Sequence, residues 1–265
     1  MASETRKTLL VALGVCLVCS VLVSSAVVGL RQTQERNRQL DRLKNILIAA
    51  DLYTNDATVK KIYNEKIRTD LVDLTTGAVV NTPADAPLLS PQKFDLKVIS
   101  KHPLYSTALP PQNDPANILR RPNFMLIYRV VEAGQTNRVI LPVYGKGLWS
   151  TLYGFIAFDR DLQTVKGLVF YEHGETPGLG GEIENPRWRQ SWIDKRALDA
   201  EGQVLIEVIK GHVIPGTPAA QFQVDGLSGA TLTTRGVNNL VRFWLGENGY
   251  GQVIRTLREA LAHHE

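Results

Sequence analysis

The chain has 265 residues, 44% of them hydrophobic and 21% charged, with a formal net charge of +4. This balance excludes wholesale disorder and leaves room for one large or two small folded domains beyond any membrane segment. No nucleic-acid-binding motif accompanies the mild basic excess, so nucleic acid is not an expected partner.

Thr8 to Leu30 is a run of 23 residues without a charge. As a helix it would be about 34 Å long, enough for a hydrocarbon core of roughly 30 Å. A secretory signal would have an apolar core of only about 7–15 residues. Ser24-Ser25-Ala26 is a weak cleavage-site lookalike. The expectation is a retained single-span anchor over residues 1–31. Cys16 and Cys19 lie inside this run and cannot staple a soluble domain. Arg31, Arg36, Arg38, Arg42 and Lys44 then stand against Glu35 and Asp41. They read as a collar on membrane lipid or as a solvated helix face. Counted against Arg6 and Lys7, they place the large domain on the cytoplasmic side.

Residues 32–123 read as a membrane-proximal region. Leu40, Leu43, Leu47 and Ala50 continue a helix out of the membrane. Asp56 is the expected cap of a second helix with Val59, Ile62, Tyr63 and Ile67 on one face. Leu71 to Val80 reads as strand, turn and strand, and 81–123 as long loops. Residues 124–265 read as a mainly antiparallel domain. Phe124 to Val131 pairs with Val139 to Val143, and Tyr153 to Phe158 with Val165 to Tyr171. Val204 to Ile209 is a further apolar strand, and Asn185 caps a helix over Pro186 to Asp194. Val237, Leu240, Val241, Trp244 and Leu245 make the stripe of an amphipathic helix. The soluble part is therefore expected to be α+β, an antiparallel sheet with flanking helices.

Chemistry concentrates before that last helix. Ser228, Thr231, Thr233 and Thr234 offer hydroxyls, Arg235 a cation, and Gly229 and Ala230 leave space beside the backbone. A helix N-terminus suits a phosphate, while an ordinary capping loop has the same composition. Elsewhere Gly145-Lys146 lacks phosphate-loop spacing, and Gly178-Leu179-Gly180-Gly181 does not open a helix after a strand. His263 and His264 are poor metal candidates. No metal site and no catalytic triad is expected.

The run Asp225-Gly226-Leu227-Ser228-Gly229-Ala230-Thr231 matches the D-x-x-S-G-A-T attachment motif of the FMN-binding domain family. Tyr144 to Ser150 resembles that family's G-x-G-L-W-S element, and Glu172 to Gly180 its H-x-E-T-P-G-L-G loop. The resemblance is strong from about 140 to 250. The anchor and the region after it look like those of the NqrC family, found in the Na⁺-translocating NADH:quinone oxidoreductases. The related Rnf-type family generally has a shorter membrane-proximal region.

The resemblance implies FMN joined to Thr231 by a phosphoester, made by a separate flavin transferase with FAD as donor. Asp225 is implied in recognition by the transferase or in shaping the loop. Ser228, Gly229, Ala230, Glu175, Thr176, Leu179, Gly180, Trp149 and Lys210 are the expected flavin-binding residues. Leu179 would press on the ring, Glu175 and Thr176 would bond its polar edge, and Lys210 would put a positive charge near it. Trp149 packed in a core and Lys210 simply solvated are the plain alternatives. The implied function is electron relay in a multi-component inner-membrane complex that oxidises NADH, reduces ubiquinone and exports Na⁺. The other subunits would be its partners, and its domain would lie on the periplasmic side, against the charge count. An Rnf-type protein or a non-redox membrane-tethered binding module remain as other readings.

Overall fold

A computed structural model describes residues 2–262. His263 and His264 lie outside the described residues. The chain divides into two compact units, residues 1–42 and 43–265.

The first unit is helical throughout its described residues. It is most of α1, Ala2–Ala49, whose apolar stretch has a mean hydropathy of 2.6. Leu9 to Leu30 present their large side chains outward, as a helix surrounded by lipid does. By length and composition it is the one described helix able to cross a membrane.

In the second unit the end of α1 becomes core: Ile46, Leu47 and Ala49 are buried, as is Ala50 just after it. A short 3₁₀ turn and α2 (Val59–Lys66) follow. The expected cap at Asp56 is corrected. Asn55 accepts from the Thr58 N–H, and Asp56 instead pairs with Lys44 at 2.8 Å and with the Tyr53 hydroxyl at 2.9 Å. Ile67 leaves the helix and opens β1 (Ile67–Asp73).

β1 pairs antiparallel with the short β2 (Val79–Val80) and with β5 (Phe124–Glu132). β6 (Gln135–Lys146), β7 (Thr151–Asp159) and β8 (Val165–Glu172) extend the sheet in the order β2-β1-β5-β6-β7-β8. Residues 43–123 are thus no separate region, because β1 and β2 are strands of the same sheet. The expected loops of 81–123 also hold α3 (Leu96–Ile99) and a ribbon of β3 (Ser106–Ala108) with β4 (Arg120–Pro122). Asp95 caps α3 by accepting from the Lys97 N–H. The Asp114 carboxylate accepts from the Ile118 and Leu119 N–H groups at 2.9 and 2.7 Å, closing the turn before β4.

After β8, Asn185 does cap a helix, but α4 stops at Gln190 (Pro186–Gln190). The expected strand Val204 to Ile209 shrinks to β9 (Glu207–Val208), which pairs parallel with β10 (Gln223–Val224). Ahead of β9 the Leu205 and Ile206 N–H groups both donate to the Ala197 carbonyl, outside the β9–β10 pair. α5 (Thr231–Leu245) buries the whole predicted stripe and packs on β6. The Trp244 indole N–H donates to the Tyr144 carbonyl at 2.6 Å, and the Tyr250 hydroxyl to that of Pro142 at 2.8 Å. α6 (Gly251–Ala262) closes the described chain.

This topology gathers three loops. Lys146 pairs with Thr151, so residues 147–150 form the β6–β7 turn. Tyr153 pairs with Glu172, so the loop leaving β8 starts at the same sheet end. α5 lies along β6 with its start at that end: a Cβ on Gly236 would meet the Lys146 carbonyl at 2.6 Å.

Candidate functional site

Thr231 is the first residue of α5 and is exposed. No side chain caps the helix, because the capping position is Ala230. Backbone N–H groups at such an end carry a partial positive charge and suit an anion. Ser228 and Gly229 are exposed just before it, and Ala230 is buried. Gly229 has φ +71, a conformation in which a side chain is strained. The exposed loop thus presents a hydroxyl, a helix end and a low backbone profile.

The neighbouring hydroxyls do not share this freedom. Thr233 and Thr234 are buried, contrary to their expected use as phosphate donors. The Thr233 hydroxyl donates to Glu175 Oε2 at 2.6 Å, and Thr234 Oγ1 accepts from the Leu227 N–H at 3.0 Å. Their side chains face inward because they sit on the same face of α5 as Val237, Leu240 and Val241, which the sheet covers.

Glu175 is 5% exposed. Its Oε1 accepts from the N–H groups of Trp149 and Ser150 at 3.0 and 3.4 Å, and its Oε2 takes the Thr233 hydroxyl. Burial alone would raise the pKa of this carboxyl. The hydrogen bonds from Thr233, Trp149, Ser150 and Leu148 together outweigh it and hold the pKa below its ordinary value. Gly180 is buried against this pair: a Cβ there would sit 2.5 Å from Thr233 Oγ1 and 2.7 Å from Glu175 Oε2. Gly180 therefore serves close packing beneath the surface. The loop is further tied by Gly174 N–H donating to Ser150 Oγ and by Glu175 N–H donating to His173 Nδ1. That bond leaves His173 Nε2 to donate to Glu184, at 2.8 Å.

On the outer side, Trp149 is 66% exposed, Leu232 53%, Leu179 45% and Leu148 39%. Trp149 is thus not packed in the core. Leu179 borders the loop of residues 228–230, since a Cβ on Gly229 would meet its Cδ2 at 3.1 Å. Thr176 is exposed in the same loop. Exposed apolar groups gathered at one end of the sheet mark a surface built for contact. Leu232 and Leu148 belong to it and were not singled out in the sequence. Their signal was adjacency to Thr231 and Trp149, legible only once the helix phase is known.

Asp225 is tied to residues outside these three loops. Asp225 Oδ1 accepts from the Val213 N–H at 2.7 Å, Oδ2 meets His212 Nδ1 at 3.0 Å, and the Trp188 indole N–H donates to its carbonyl at 2.8 Å. Burial raises the pKa of its carboxyl, but His212 and the Val213 N–H lower it by more. Lys210 is exposed beside the Gly226 backbone, where the Gly226 N–H donates to the Gly211 carbonyl. Among the described residues no cluster of His, Cys, Asp and Glu could hold a metal ion.

The FMN-binding domain family matches residues 147–246, from the β6–β7 turn to the end of α5. The chain is 46% identical over 262 residues to the Na⁺-translocating NADH-quinone reductase C-subunit of Pseudomonas aeruginosa, covering 98% of each chain. It is 46% identical over 257 residues to the C-subunit of Yersinia pestis, covering 96% of this chain and 93% of that one. The crystal structure of NqrC from Shewanella oneidensis superposes with a TM-score of 0.73 at 34% identity, covering 84% of this chain and 99% of that one. An uncapped helix end with a free hydroxyl, beside an exposed apolar surface, fits a flavin and its phosphate. The chain belongs to the NqrC family, the C-subunits of Na⁺-translocating NADH-quinone reductases.

Proposed function

We propose that this chain carries FMN in phosphoester linkage to Thr231 and relays electrons within a sodium-pumping NADH:quinone reductase. The observation that carries the reading is the isolation of the Thr231 hydroxyl. It is exposed at an uncapped helix end, while Thr233 and Thr234 are buried and bonded inward.

In the attachment, Thr231 Oγ1 forms a bond to the FMN phosphorus of FAD. The bridging bond to the AMP half breaks, AMP leaves, and the hydroxyl proton passes to a base of the transferase. The transferase is therefore a required partner. Bound FMN supplies the redox chemistry. Leu179, Trp149, Leu148 and Leu232 offer apolar contact to the ring, and Thr176 a hydrogen bond to its edge. Lys210 adds a positive charge at the flank of the loop. Asp225 acts by shaping the loop, since both its carboxylate oxygens hold residues 212 and 213.

The complex would pass electrons from NADH towards ubiquinone with export of Na⁺. The whole-length match to NqrC relatives, membrane-proximal region included, favours this over the Rnf type. The reading places the chain in the inner membrane by α1, with lipid around its apolar stretch and the domain on the periplasmic side. A covalent tether suits that side, where a lost flavin is not replaced.

Intact mass spectrometry tests the central claim. The full chain co-expressed with its flavin transferase gains one FMN, and Thr231→Ala gains none. An unmodified wild type under those conditions would sink the reading. Protease accessibility in spheroplasts tests the side of the membrane.

A further inference from the structure

We infer that Glu175 is a positioning residue for the modification of Thr231 and not a contact to the flavin. The inference rests on the proposed linkage. Both of its carboxylate oxygens are already engaged inside the protein, and they tie together the three loops at this end of the sheet. Oε1 holds the β6–β7 turn through the N–H groups of Trp149 and Ser150. Oε2 holds the first turn of α5 through the Thr233 hydroxyl, 58 positions away in sequence. Glu175 itself lies in the loop leaving β8, which carries Thr176 and Leu179.

The packing around the clamp leaves little freedom. A Cβ on Gly147 would meet Oε1 at 2.6 Å, and one on Gly180 would meet Oε2 at 2.7 Å. The two glycines let the turn and the loop close on the carboxylate from opposite oxygens. Thr233 is 0% exposed and two residues from Thr231, so the bond that fixes Thr233 also fixes the phase of the helix end. Rotating that turn would swing Thr231 away from the surface formed with Leu179 and Trp149. The charge is stabilised by three backbone N–H groups and one hydroxyl, so the clamp depends on local backbone geometry.

The test measures the rate of FMN transfer to the purified full chain with transferase, Mg²⁺ and FAD, per folded molecule, by intact mass. Thr233→Val removes the hydroxyl at nearly constant volume, and Thr233→Ser restores it. The expected result is transfer slowed roughly tenfold to a hundredfold in Thr233→Val and in Glu175→Ala, with Thr233→Ser close to wild type. A merely stabilising role would lower the melting temperature without changing the rate per folded molecule. Folded Thr233→Val that loads at the wild-type rate overturns the inference, even if Glu175→Ala does not fold. A wild type that does not load overturns the linkage itself, which is a separate failure.

Discussion

Thr234 Oγ1 accepts the Leu227 N–H at 3.0 Å, and this bond lies wholly in the interior. It joins the first turn of α5 to the strand side of the loop that precedes it. Between its two ends the chain emerges, exposing Ser228, Gly229 and Thr231, and returns. The loop is an excursion pinned at its base. Its conformation is set by buried groups and its chemistry by exposed ones.

Removing the pin is a test of the fold more than of the chemistry. Thr234→Val leaves the Leu227 N–H buried without an acceptor. The cost is about 1–3 kcal/mol, read as a lower urea midpoint at unchanged slope. In Thr231→Ala, modification does not move to Thr233 or Thr234, because both are buried and bonded. Peptide mapping after exposure to transferase would show no flavin on the α5 peptide.

Gly180→Ala places a methyl 2.5 Å from Thr233 Oγ1 and 2.7 Å from Glu175 Oε2. The clash falls on two buried groups that cannot move independently. Overpacking of this kind costs about 1–3 kcal/mol. Chemical denaturation would register it, and a Gly180→Ala protein as stable as wild type would contradict the close packing described.

Glu175 makes a pH prediction with a defined sign. Its carboxyl is held below the ordinary value of 4.5, so the native state favours the ionised form. Its stabilisation is complete above the unfolded-state pKa and is lost as pH falls through the lowered native pKa. Denaturation midpoints therefore drop in acid below about pH 4.5. In Glu175→Gln this part of the drop disappears, and the acid limb is flatter than in wild type.

Trp244→Phe removes the indole N–H that donates to the Tyr144 carbonyl. Tyr144 also packs against the Trp244 ring at 5.1 Å. Loss of the bond and of ring volume lowers stability by about 2–4 kcal/mol. Thermal melting shows the loss, while flavin loading at low temperature is unchanged because the change lies far along α5 from Thr231.

Much of the molecule was legible from local pattern. The membrane-length apolar run, the antiparallel hairpins of β5 to β8 and the buried stripe of α5 depend on periodicity, which side-chain order alone imposes. The seven-residue motif points to Thr231, which is exposed at the start of α5. Where local signals competed, the sequence was less decisive. Asn55 and Asp56 are both competent caps, and Asp56 lost because Lys44 and Tyr53 claim its carboxylate. Val204 to Ile209 has strand composition, yet the Ala197 carbonyl takes the N–H groups of Leu205 and Ile206.

What the sequence determined by itself is which residue types stand at the candidate site: a hydroxyl at a helix entrance, small residues around it and a Gly-rich loop. Only the tertiary structure decided which of these face outward. Four hydroxyls between Ser228 and Thr234 are equivalent in composition, but the phase of α5 on β6 buries Thr233 and Thr234 and leaves Ser228 and Thr231 exposed. The same packing turned the Glu175 carboxylate inward and Trp149 outward. Burial is a property of the assembled layers, and no window of neighbouring residues contains it.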